Sequence, residues 1–166
     1  YEFRNFASVT KASLKLVEKA FKKKGKYSGI VSGFADLDNM LGGLQNSDLV
    51  ILAGRPSMGK TALATNIAFN AARYFSQEQD GGSVVMFSLE MSAEQLGTRI
   101  LADRSGLDSE NIRRGRMNDR EFLALVEASE QISRAPFFID DTPALSVSQM
   151  ASRARRLKRT KGRGLI

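Results

Sequence analysis

The residues best suited to chemistry lie in one run, Gly54-Arg55-Pro56-Ser57-Met58-Gly59-Lys60-Thr61, which fits G-x-x-x-x-G-K-[ST]. Each fixed position has a physical reason. Gly54 and Gly59 let the backbone turn so that amide N–H groups converge on phosphate oxygens. Lys60 supplies a cation for the β- and γ-phosphates of a nucleotide, and the Thr61 hydroxyl supplies a ligand for Mg²⁺. A helix opening at Lys60 would aim its positive end at the same anion. Nucleotide contact is therefore assigned to Gly54, Arg55, Pro56, Ser57, Met58, Gly59, Lys60, Thr61 and Ala62. The implied cofactors are ATP and Mg²⁺, with Thr61 on the metal.

Binding is not yet a reaction. Hydrolysis also needs a group to activate water and an acid to hold the metal. Glu90 follows an apolar run, at the strand end where open α/β sheets build their sites. It could polarise the attacking water there, with Lys60 as the second catalytic residue, or it could be a solvated acid before the next helix. Asp140 closes Phe137-Phe138-Ile139, an apolar run ending in Asp, which is the general form of a Walker B. It fits a turn initiator before Thr142-Pro143 equally well. With no His and no Cys, imidazole and thiolate metal sites are excluded, and so are disulfides.

These residues must be positioned by alternating strands and helices. Leu49 to Ala53 reads as an apolar strand feeding the P-loop, and Lys60 to Phe75 as the helix after it. Gly81-Gly82 breaks the chain before a second strand, Ser83 to Ser88. Ser92 with Gln95, Asn118 with Glu121, and Ser146 with Gln149 carry capping-box spacing. They open helices running to Ser105, to about Arg134 and to about Lys158. Phe137 to Ile139 is a third short strand, and Gly164-Leu165-Ile166 reads as the opening of another. Such alternation predicts an α/β fold with a mainly parallel sheet flanked by helices.

The 166 residues suffice for one cored domain. No stretch approaches the roughly 20 apolar residues of a membrane helix, and Tyr1 to Thr10 lacks the apolar core of a signal peptide. A cytoplasmic protein without a membrane partner is the default expectation. The net charge of +7 is uneven. Lys11 to Lys26 holds seven Lys and one Glu, Ala151 to Ile166 holds seven Arg or Lys and no acid, and the remainder sums to −6. Basic ends fit a polyanionic partner or an assembly interface, or simply solvated helix faces. Before Gly25, Leu14, Val17 and Phe21, with Leu16 and Ala20, form the stripe of an amphipathic helix. Glu18 is spaced to pair with Lys22, and Gly25 is placed to stop the helix.

Taken together, the motifs resemble DnaB-type bacterial replicative DNA helicases. The likeness is carried by Ser32-Gly33-Phe34 with Leu37-Asp38, Gly42-Gly43-Leu44, the P-loop, Phe87-Ser88-Leu89-Glu90-Met91-Ser92, Ile139-Asp140-Asp141-Thr142-Pro143, and Ser152 to Lys158 leading to Gly164-Leu165-Ile166. The resemblance covers the chain from Ser28 onward. It implies a RecA-like P-loop NTPase fold, with residues 28–166 as the N-terminal portion of the ATPase domain and residues 1–27 as a linker helix segment. Lys60 and Thr61 then match the family's phosphate and Mg²⁺ contacts, and Glu90 its catalytic glutamate. The family's Walker B aspartate lies on the strand that would continue past Ile166, so Asp140 and Asp141 become structural. Its DNA loops and arginine finger are also expected beyond Ile166, leaving the chain alone incompetent for turnover.

The implied activity is that of an ATP-hydrolysing DNA helicase working at the replication fork. The implied partners are single-stranded DNA, further copies of the chain in a homo-hexamer, primase and a helicase loader. Another RecA-like ATPase of recombination or clock type, or a non-catalytic DNA- or partner-binding module, are the rival readings.

Overall fold

In the computed structural model, residues 3–22, 27–77 and 81–161 are described, the side chains of Lys19, Ala20 and Lys161 excepted. Contacts divide the chain into two units, Tyr1–Val50 and Ile51–Ile166. Among the described residues, no helix is long and apolar enough to cross a membrane.

The first unit opens with helix α1, Phe6–Lys22. Asn5 starts it by accepting the Ala7 N–H on Oδ1 at 2.9 Å. Glu18 and Lys22 pair at 2.6 Å, one turn apart on a solvated face. Leu14, Leu16, Val17 and Phe21 are all exposed. The stop expected at Gly25 lies outside the described residues.

Helix α2, Ala35–Leu41, was not marked by any capping pattern, because its N-cap position is Phe34. A buried acid organises it instead. Asp38 is 3% exposed, and its carboxylate accepts the N–H groups of Ser32 at 2.7 Å and Gly33 at 3.2 Å. That is the physical content of the Ser32-Gly33-Phe34…Asp38 pattern: one carboxylate folds the preceding loop back over the helix. Ile30 and Leu44 form an antiparallel bridge beside it. A Cβ on Gly29 would lie 2.5 Å from the Leu44 carbonyl oxygen, so only glycine admits this approach.

The second unit is built on two strands, β1 (Val84–Phe87) and β2 (Phe137–Asp140), paired in parallel with Val84 opposite Phe137 and Phe87 opposite Asp140. Parallel neighbours need a long crossover. Here it is helices α4 (Ala93–Ser105), α5 (Ser109–Arg113) and α6 (Asp119–Ile132). Helix α3, Lys60–Gln77, packs on one sheet face. Phe69 meets Phe137 edge-on at 6.3 Å, and the Arg104 guanidinium lies 5.0 Å from the Phe69 ring centre. Phe69, Ala72, Val84, Leu96 and Ile100 form the buried core. Helix α7, Val147–Lys161, follows β2. Val85, Phe87 and Phe138, on the alternate strand positions, line a cleft with Ala154 and Leu157 of α7. Helices thus flank both faces of a parallel sheet.

One expected strand is missing. Leu49 to Ala53 has no ladder partner among the described residues, and Leu49, Val50, Ile51 and Leu52 are exposed. The division between the two units falls inside this run. An apolar run becomes a strand only when a neighbour pairs its N–H and C=O groups. The strand opening expected at Gly164-Leu165-Ile166 lies outside the described residues.

Candidate functional site

The P-loop segment is exposed from Gly54 to Lys60 and opens α3. Two residues in it adopt the left-handed region, Ser57 at φ 62° and Gly59 at φ 82°. Glycine tolerates that conformation, whereas for serine it costs about 1 kcal/mol or more. Left-handed turns interleaved with right-handed ones point successive amides into a common hollow, which is how backbone alone binds anions. The first i→i−4 bond of α3 runs from the Leu63 N–H to the Gly59 carbonyl at 2.9 Å. The amides of Lys60, Thr61 and Ala62 precede it and face the helix entrance, where the dipole favours a negative charge. Lys60 folds back across the loop, and its Nζ donates to the Gly54 carbonyl at 2.8 Å. Gly54 is the partner for a steric reason: a Cβ there would meet the Lys60 Cγ at 3.3 Å. The Lys60 ammonium is thereby held over the loop on an exposed, exchangeable hydrogen bond. This arrangement fits the phosphates of a nucleotide.

Glu90 lies in the turn after β1, and it is exposed. β1 is the strand on which α3 packs, so the P-loop helix and the Glu90 turn belong to one framework. Ser88 closes that turn, donating from Oγ to the Met91 carbonyl at 2.7 Å and accepting the Met91 N–H at 3.2 Å.

The acidic pair at the end of β2 divides its work. Asp140 accepts from Arg153 Nη1 at 2.6 and 2.9 Å, and the same nitrogen reaches Thr142 Oγ1 at 2.7 Å. Hydrogen bonds from Arg153 first, and then from Thr142, whose N–H donates to Asp140 Oδ1 at 3.1 Å, lower the Asp140 carboxyl pKa from 3.8 to about 2. Asp141 turns the other way and accepts the Ala93 N–H, at the start of α4, at 2.8 Å. Neither partner was legible in the sequence, since Arg153 is one of several arginines on α7 and Ala93 bonds through its backbone. The left-handed Ser57 was missed as well, because no sequence signal marks a serine for that conformation.

A loop of this geometry opening a helix packed on a parallel sheet defines the class: a P-loop nucleotide-binding domain of the RecA-like kind. Comparison narrows the class. Residues 29–166 match the family model of the DnaB-like helicase C-terminal domain, and the chain belongs to that family. It is 46% identical over 159 residues to the replicative DNA helicase DnaB of Rickettsia typhi, covering 93% of this chain and 32% of that protein. It is 40% identical over 164 residues to the replicative DNA helicase DnaC of Bacillus subtilis, covering 99% of this chain and 35% of that protein. The chain therefore spans about a third of the length of these curated relatives.

Among solved structures, it superposes on one described as an ATPase domain with a TM-score of 0.83 at 28% identity, covering 95% of this chain and 54% of that one. A DnaB-like replicative helicase, described with its interactions with primase, matches with a TM-score of 0.78 at 28% identity. The match covers 93% of this chain and 36% of that one.

Proposed function

We propose that this chain is the nucleotide-binding portion of a ring-shaped, ATP-driven replicative DNA helicase. The observation that carries the reading is the loop Gly54–Thr61, with left-handed Ser57 and Gly59 and with Lys60 poised over the Gly54 carbonyl, at the head of α3. In this reading residues 1–27 belong to a linker helix segment and residues 28–166 to the ATPase domain.

ATP is the substrate. The amides from Gly54 to Ala62 cradle its phosphates, and Lys60 leaves the Gly54 carbonyl to meet the β- and γ-phosphate oxygens. The Thr61 hydroxyl would hold Mg²⁺, which supplies neutralisation of the charge developing on the phosphates. Glu90 orients the attacking water and takes up its proton. Lys60 and Glu90 are thus the catalytic pair, one stabilising charge and one activating the nucleophile.

Hydrolysis at subunit boundaries of a homo-hexamer would move single-stranded DNA through the ring. Primase and a helicase loader are the further partners, and the cytoplasm is the compartment. This assignment is supported by the two replicative helicases above, each aligned over more than nine-tenths of the chain.

The test is Lys60→Ala in the full-length helicase. ATPase rate and forked-duplex unwinding should both fall by about a hundredfold or more, by analogy with loss of one charge-stabilising donor at about 10²–10³. Unwinding at the unaltered rate would overturn the proposal.

A further inference from the structure

The Glu90 carboxylate is exposed, so its aim depends on the backbone that carries it. That backbone is pinned upstream to the last residue of β2 and downstream to the residue that follows it. Upstream, the Ser88 N–H donates to the Asp140 carbonyl at 2.9 Å, carrying the β1–β2 ladder one step past the strand. Ser88 is 8% exposed, and its hydroxyl makes the two bonds to Met91 that close Leu89 and Glu90 into a tight turn. Downstream, Asp141 holds the Ala93 N–H at 2.8 Å across 48 residues of sequence. The Ser92–Gln95 capping box then fixes the entry to α4. The turn bearing Glu90 is therefore clamped between a buried hydroxyl and a carboxylate just past the end of the neighbouring strand.

We propose that Ser88 and Asp141 are positioning residues for nucleotide hydrolysis, holding the Glu90 turn in register with β2 and setting kcat rather than nucleotide affinity. The inference rests on the reading of Glu90 as the residue that activates water. Neither side chain needs to touch the nucleotide. Their effect is geometric: a misplacement of about 1 Å at a reacting group costs up to about a hundredfold in rate.

The experiment uses the full-length helicase with Glu90→Gln, Ser88→Ala, Asp141→Ala, Asp141→Asn and Ala93→Pro. The last removes the N–H that Asp141 accepts. It suits the first position of a helix, after a Ser92 already extended at φ −69° and ψ 159°. ATPase kcat and KM are measured alongside the affinity for a fluorescent methylanthraniloyl-ADP.

Ser88→Ala, Asp141→Ala and Ala93→Pro should each lower kcat about tenfold or more, with the affinity for the fluorescent nucleotide within about twofold. Asp141→Asn, which keeps an acceptor oxygen, should recover most of the rate. If kcat and affinity fall together, or if Asp141→Asn is as poor as Asp141→Ala, the residues are structural and the proposal fails. It also fails if Glu90→Gln abolishes turnover while the clamp variants keep full kcat. If Glu90→Gln itself retains full kcat, the reading of Glu90 is wrong and the clamp has nothing to position.

Discussion

Replacing Arg153 by methionine should cost the second unit about 1 kcal/mol at pH 7 and much less at pH 2. Methionine keeps most of the aliphatic stem and removes only the charge and its donors. Arg153 Nη1 holds both Asp140 oxygens, at 2.6 and 2.9 Å, and Thr142 Oγ1 at 2.7 Å. The resulting drop in the Asp140 pKa, from 3.8 to about 2, corresponds to about 2.5 kcal/mol at about 1.4 kcal/mol per pH unit. That figure is a ceiling. Part of the drop belongs to Thr142, and the Arg153 side chain is 42% exposed, so water screens the pair. About half survives that discount.

The sign follows from a folded-state pKa below the unfolded one. The carboxylate stabilises the fold above about pH 4, and that contribution is lost as the pH falls from about 4 through about 2. Urea denaturation of the chain and of Arg153→Met, at steps between pH 7 and pH 2, measures the gap directly. The gap should narrow steadily over the last two units, leaving only the Thr142 bond. A gap of unchanged size from pH 7 to pH 2 would show that the arginine acts by packing, and would refute the electrostatic argument.

Two substitutions test the core and the loop separately. Leu96 is fully buried at 0% exposure where α4 meets its neighbours, so Leu96→Ala should cost about 2–5 kcal/mol in urea denaturation. Gly59→Ala meets no atom within 4 Å but inherits a φ of 82°. It should therefore cost only the conformational strain, about 1–2 kcal/mol. Nucleotide affinity, read by the fluorescent analogue, should fall more than stability as the loop relaxes towards right-handed backbone.

Local chemistry was readable because its partners are close in sequence. The Ser92–Gln95 box closes at 3.3 and 3.1 Å, the Asn118–Glu121 box at 2.9 and 2.8 Å, and the Ser146–Gln149 pair at 3.3 and 2.9 Å. Each satisfies helix-end amides within one turn, so spacing alone marks the helix start. The P-loop is equally local, since its hollow is made from consecutive amides. Helix α2 escaped for the opposite reason. Its organising group, Asp38, sits inside the helix and acts backwards on Ser32 and Gly33. Helix α5 is five residues long, too short to impose an apolar period, although Asp108 caps it with bonds to Glu110 and Asn111.

Long-range pairing was not readable, and Asp140-Asp141 shows why. In sequence the two acids form one feature, whether a Walker B ending or a turn initiator. In the fold they are separated by the geometry at a strand end, where successive side chains diverge to opposite sides. Asp140 faces α7 and takes Arg153, while Asp141 faces α4 and takes the Ala93 amide. The same reasoning explains Leu49 to Ala53. Its apolar composition is shared with Val84 to Phe87, yet of the two only the latter has a neighbour among the described residues to complete its hydrogen bonds. Composition selects residues able to be buried in a sheet, and pairing decides which of them are. The parts of the site made from one stretch of chain are therefore written in the sequence. The register of the turn that carries Glu90 is set by β2, far along the chain, and only the fold reveals it.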